Sequence, residues 1–245
     1  MRNLERYEKD YSTQGFEYFH IKYRKKMLYS ILNRYQPKRI LEIGCGLDPL
    51  YKYIDWNYEK YVVVEPIEGF YKKALSKDKR VVCINDYFYA SDYLKSLEFD
   101  FIICSCLLHE VEDPNIMIQD IKSICNESTI VHINVPNAKS IHRLVALEMG
   151  LIDDVHDFSE RNITLQQHVV FDLQSLTEIA ERNELDIIDS GSYFIKPFSS
   201  AQMYELIDND IIDVKVLDGL FGLGKYLPLY GSEIYINCVR KKESF

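Results

Sequence analysis

The residues with the clearest chemical purpose lie close together. Leu41-Glu42-Ile43-Gly44-Cys45-Gly46-Leu47-Asp48-Pro49 leaves an apolar strand-like run and turns on two glycines two positions apart. Glycines there let the backbone bend sharply and approach a ligand with no Cβ in the way. Glu65 ends the next apolar run, 21 positions after Gly44. That is the distance at which a carboxylate can take both hydroxyls of an adenosine ribose. Pro49 stands where a dinucleotide fingerprint would place its third glycine, and it offers no N–H to a pyrophosphate. Two carboxylates, Glu42 and Asp48, flank the turn. Negative charge there repels a pyrophosphate and attracts a cofactor that carries a sulfonium and an amino group.

S-adenosylmethionine meets that description better than NAD or FAD. A methyl group leaving a sulfonium moves in line to its acceptor, so alignment does much of the work. A hydroxyl acceptor must also lose a proton, most often to a histidine. Of the six histidines (His20, His109, His132, His142, His156, His168), His109 is the best placed, in the loop leaving the fourth strand-like run. His168 opens His-Val-Val-Phe-Asp ahead of a helix. For His109 the structural alternative is packing or capping of the following helix. Asn134-Val135-Pro136-Asn137 ends the fifth run and leads to His142 and Arg143 at the edge of the same cleft. Arg143 suits a two-pronged grip on a phosphate or carboxylate of the acceptor, or else a surface ion pair.

These residues need a scaffold. Phe16, Phe19, Tyr23, Met27, Ile31 and Tyr35 recur every three or four positions, which predicts an amphipathic helix over 14–35 ended by Pro37. Tyr11, Tyr18 and Phe19 either cover the cofactor or pack in the core. Strand-like runs follow at 39–43, 61–65, 81–84, 99–104 and 129–135, each apolar on both faces as in a covered parallel sheet. Helix-like segments at 69–75, 91–97 and 114–125 lie between them, the last with Asp113 as N-cap and Pro114 at its first position. Asp172 is expected to cap a helix to about Asn183, with further strands at 185–190 and 233–240. The alternation predicts a doubly wound α/β fold. We expect one domain over 1–245, with a helical cap at 1–37, a cofactor core at 38–135, and lid insertions over the substrate at 136–171 and 191–228.

Composition narrows the partners. The chain has 245 residues with 38 Asp and Glu against 29 Lys and Arg, a formal charge of −9. A nucleic-acid substrate usually needs a clustered basic face, so a small-molecule partner is expected instead. No apolar run reaches the ~20 residues that span a bilayer. The first residues carry no apolar secretory region, and the six cysteines form no C-x-x-C pair. These features predict a cytoplasmic protein with neither a disulfide framework nor a metal site.

With these motifs in place, the chain resembles the class I S-adenosylmethionine-dependent methyltransferases from about residue 38 onward. Leu41 to Gly46 matches the family's first motif, Val64-Glu65-Pro66 its acidic ribose loop, and Asn85-Asp86-Tyr87 the acidic position near the adenine. Phe99 to Ser105, with Leu107 to Pro114, matches the fourth strand and the loop that faces the substrate. The resemblance implies a mostly parallel seven-stranded sheet with an antiparallel last strand. It places Glu42 and Gly44, with Cys45 and Gly46, near the methionine moiety and Glu65 on the ribose. Pro66 and Ile67 would line the adenine, Asp86 would bind its amino group, and Tyr87 and Ser105 would complete the site. Asn134, Asn137, His142 and Arg143 become candidate acceptor contacts. Residues 134–203 further resemble methyltransferases of bacterial surface-polysaccharide and natural-product pathways, which suggests O-methylation of a sugar, sugar nucleotide or similar metabolite. N-methylation of an amino sugar, methylation of a quinone precursor, and a cofactor-binding module without transfer are the rivals.

Overall fold

The computed structural model describes residues 3–11 and 15–242. Five short apolar runs become parallel strands: β1 (Arg39–Ile43), β2 (Lys60–Val64), β3 (Val81–Ile84), β4 (Phe101–Ser105) and β5 (Ile130–Pro136). Two more, β6 (Leu185–Tyr193) and β7 (Glu233–Arg240), complete the sheet. The order is β3-β2-β1-β4-β5-β7-β6, with β7 antiparallel to both of its neighbours. The chain winds outward from β1 in both directions, so a crevice opens above the C-terminal ends of β1 and β4, where such sheets bind ligands.

Ten helices cover the sheet. They are α1 (Leu4–Asp10), α2 (Glu17–Tyr35), α3 (Glu68–Ala74), α4 (Asp92–Lys95), α5 (Pro114–Ser123), α6 (Ile141–Glu148), α7 (Glu160–Thr164), α8 (Leu173–Arg182), α9 (Ser200–Asp208) and α10 (Lys215–Gly222) among the described residues. Because side chains alternate across a strand, each strand serves two cores. Leu41, Ile43, Val62 and Ile102 face α5 and α8 on one side, against Ile118, Ile121, Leu176 and Ala180. Ile40, Tyr61, Val63 and Phe101 face α2 on the other, against Tyr23, Ile31 and Leu32.

The expected caps are present. Asp113 accepts from Asn115 N at 2.8 Å, and Asp172 accepts from Ser175 N at 2.8 Å. Gln36 ends α2 with φ of 43°, a left-handed stop just before Pro37. Two expectations change. β6 continues to Tyr193 because it stays paired with β7 through Gly191 and Tyr193, and a Cβ on Gly191 would lie 3.3 Å from the Tyr235 ring. That glycine makes room for a neighbour and does not mark a turn. The segment 191–228, expected as a lid, contributes its first three residues to β6 and none to the lining of the main cavity described below. Its Met203, Leu217 and Phe194 are buried with Tyr23. Among the described residues, no helix is long and apolar enough to cross a membrane.

Candidate active site

A cavity of about 1070 Å³ opens at the C-terminal ends of β1, β2 and β4. Small-molecule pockets run to roughly 1,000 Å³, so a nucleoside cofactor and a small acceptor fit together.

Its floor is the turn after β1. Gly44 and Gly46 both have positive φ, 72° and 59°, and the Gly44 N–H donates to Val64 O at 2.9 Å. A Cβ on Gly44 would sit 3.4 Å from Leu107 Cδ2, so the backbone lies close to the wall. Glu65 ends β2 and folds back under this turn. Its Oε1 accepts from Ile67 N at 3.0 Å and its Oε2 from Gly46 N at 3.1 Å. Burial raises its carboxyl to about 7 even so. Each carboxylate oxygen has a second lone pair, enough to accept the two hydroxyls of a ribose. Cys45, Pro66, Ile67, Tyr87 and Ser105 also line the cavity. The arrangement fits an adenosyl cofactor: a glycine cradle, a carboxylate at ribose distance, and apolar walls from Ile67, Phe70 and Leu165.

The acids around the turn divide their roles. Glu42 lies below it and accepts from Leu50 N at 3.1 Å and Tyr61 O–H at 2.8 Å. Burial raises Glu42 to about 7, so it braces the loop's exit from beneath. Asp48, expected to draw a cationic cofactor, is engaged by Lys25, Tyr53 and Lys52. Burial works against its ionised form, yet Lys25 and Tyr53 hold its carboxyl below the usual range. Asp86 is exposed and accepts from Tyr87 N at 2.8 Å. It does not line the cavity, whereas Tyr87 and Phe88 do.

Across the cavity stands His109, 4 % exposed, with Nε2 3.8 Å from Glu110 Oε1. Glu110 accepts from Tyr7 O–H at 3.1 Å, which ties α1 to this wall. The backbone N–H of His168 donates to His109 O at 2.9 Å, and both histidines line the cavity. Tyr11 and Tyr18 line it too, while Phe19 packs in the core behind α2, so the aromatic stripe splits between the two readings.

None of the four candidate acceptor contacts lines the main cavity, although Asn137 and Arg143 line a small pocket that shares His109, Pro136 and Gln167 with it. Asn134 is fully buried and donates to Glu233 Oε2 at 3.1 Å and Tyr193 Oη at 3.2 Å. Asn137 ties down a distant loop, donating to Leu229 O at 3.0 Å and Gly231 O at 2.8 Å. Burial pushes the His142 ring down to about 2, so it is neutral, and it does not line the main cavity. Arg143 bonds carbonyls of its own loop, Nε on Val155 O at 2.9 Å and Nη2 on Asp157 O at 2.6 Å. Of β5 and α6, Pro136 lines the main cavity, and these four side chains support the wall around it.

Sequence reasoning missed what replaces them. Glu17, Ile21, Arg24, Lys25 and Leu28 form one face of α2 that lines the cavity, together with Arg161 and Gln167. Their helical spacing beside the apolar stripe is the signal that was available. Arg24 grips Glu233 at the start of β7 through Nε at 3.0 Å and Nη2 at 2.6 Å. Burial alone would raise the Glu233 carboxyl, but Arg24 beside it holds it below the usual range.

A family model described as a methyltransferase domain matches residues 18–190. No curated protein sequence matches the chain. Among solved structures the chain is similar to an S-adenosylmethionine dependent methyltransferase from Mesorhizobium loti, with 12 % identity, 86 % of this chain and 97 % of that one covered, and a TM-score of 0.56. It is similar to the plantazolicin methyltransferase BamL, solved with a triazolic desmethylPZN analog and SAH, at 14 % identity, 93 % and 88 % coverage, and a TM-score of 0.58. It is also similar to phosphoethanolamine N-methyltransferase 2 of Haemonchus contortus, at 16 % identity and a TM-score of 0.57, covering 89 % of this chain and 53 % of that one. At these identities the likeness is one of fold. With the family model spanning most of the chain, the chain belongs to the class I S-adenosylmethionine-dependent methyltransferases.

Proposed function

We propose that the chain methylates a hydroxyl of a small polar molecule, a sugar, sugar nucleotide or related metabolite, with His109 as the base. S-adenosylmethionine supplies an electrophilic methyl group on a positively charged sulfur. Glu65 and the Gly44–Gly46 turn hold the donor on one side of the cavity. The observation that carries the reading is the buried His109 on the opposite wall, its ring beside a carboxylate that Tyr7 anchors. A histidine so placed can accept a hydroxyl proton during transfer. His168, one hydrogen bond away through the backbone, is the second candidate for the same task.

Calorimetry with S-adenosylhomocysteine tests the donor site, with Glu65→Ala as the weakened control. Acceptor panels read by a mass gain of one methyl group test the transfer. His109→Ala should lower turnover by about 10²–10⁴, and full turnover in that variant would remove His109 as base. Glu17 and Glu110 with Tyr7 and Tyr11 on the same wall favour a second reading, an amine acceptor drawn by negative charge and aromatic faces. Mass gain on amines but not on alcohols would select it.

A further inference from the structure

Arg24 is a cavity-lining guanidinium that neither reading uses. Its side chain is 15 % exposed, and Glu233 takes its Nε and Nη2. Among the described residues Nη1 has no hydrogen-bond partner. Glu17 stands beside it, with Oε1 3.8 Å from Arg24 Nη2 and Oε2 2.7 Å from Arg161 Nη2 on α7. Glu17 is thus a tethered carboxylate lodged between two guanidinium groups of the cavity wall. Lys196 lies behind them, buried, with Nζ on Ser200 Oγ at 2.8 Å. Arg24, Arg161 and Lys196 surround the carboxylates of Glu17 and Glu233. The cluster also lies at the acceptor end. Glu65 ends β2, on one side of β1, whereas the anchor Glu233 begins β7, beyond β4 and β5 on the other.

We propose that Arg24 and Arg161 form an anion subsite that recognises a carboxylate or phosphate on the methyl acceptor. Glu17 occupies the subsite until the acceptor arrives, and Glu233 positions the Arg24 fork. The inference rests on the transferase reading above and narrows its acceptor to an anionic small molecule. It moves the anion grip from Arg143, which does not line the main cavity, to the charged face of α2, which does.

The test uses the full chain saturated with S-adenosylhomocysteine and titrated with inorganic phosphate, followed by calorimetry and phosphorus NMR. Wild type should bind phosphate saturably. Glu17→Gln should tighten binding about tenfold, because the competing carboxylate is gone. Arg161→Gln should weaken it by about fivefold or more. Arg24→Gln should abolish it, but that variant leaves Glu233 buried without its partner and can fail to fold, so the first two variants carry the test. No saturable phosphate site in wild type, or unchanged or weaker binding in Glu17→Gln, overturns the proposal. The donor's own carboxylate is the other source of the same chemistry. If Arg24→Gln or Arg161→Gln weakens S-adenosylhomocysteine while 5′-methylthioadenosine, which lacks the amino acid, binds as before, the guanidinium serves the donor and the proposal falls. Failure of wild type to bind S-adenosylhomocysteine would sink the transferase reading instead.

Discussion

Replacing Glu65 by glutamine separates what this carboxylate does for the cofactor from what it does to the fold. Burial raises its carboxyl from the ordinary 4.5 to about 7. Between those values the folded protein holds a proton that the unfolded chain has released. Stability is therefore full below the unfolded value, falls as pH rises through the window, and levels off above about pH 7. The span from 4.5 to about 7 corresponds to about 3 kcal/mol lost by neutral pH. Glu65→Gln removes this slope because an amide does not titrate. It also offers one acceptor oxygen in place of two, so Gly46 N or Ile67 N loses its partner at a cost of about 1–3 kcal/mol at every pH. The variant should be less stable than wild type near pH 5 and should match or exceed it near pH 8. The difference should move by about 3 kcal/mol, or roughly 6–12 °C in Tm. Glu42 titrates in the same window, and because burial is the main cause of its rise and the Glu65 charge only a lesser one, most of its contribution is common to both proteins. Urea unfolding followed by circular dichroism at the two pH values measures the change. Near pH 8 the affinity for S-adenosylhomocysteine should drop about 10–100-fold, since hydrogen bonds to a charged acceptor are worth about 1.5–3 kcal/mol. A stability difference flat in pH would refute the burial argument, and an unchanged affinity would refute the ribose role.

Other substitutions probe the neighbouring elements. Gly44→Ala places a side chain at φ of 72° and 3.4 Å from Leu107 Cδ2. It should cost about 1–2 kcal/mol in thermal unfolding and weaken S-adenosylhomocysteine. Gly231→Ala would put a carbon 2.3 Å from Tyr193 O, a backbone atom, so it should lose more stability than Gly44→Ala. Equal melting temperatures for these two variants would contradict that ranking. Arg143→Ala removes the bonds to Val155 O and Asp157 O and should cost about 1–3 kcal/mol. Acceptor KM should stay where it is, and a rise of about tenfold or more would return Arg143 to the acceptor site.

What the sequence determined by itself is local or periodic. The turn at Gly44 and Gly46 needs positive φ, which glycine alone supplies cheaply, so its place after a strand was legible. Glu65 follows from strand length, and the caps at Asp113 and Asp172 follow from residues two or three positions away. Runs apolar on both faces identified the parallel strands, and the expected strand at 233–240 is β7. Only the tertiary structure decided which partners each polar group meets. Arg143 and Arg24 are alike in sequence, but one bonds carbonyls of its own loop and the other a carboxylate 209 positions away. Periodicity identified the apolar stripe of α2 without showing that its charged face closes the cavity, or that residues of 191–228 pack against it. A side chain's chemistry depends on what else reaches it, and those partners come from strands and helices that only the completed sheet brings together.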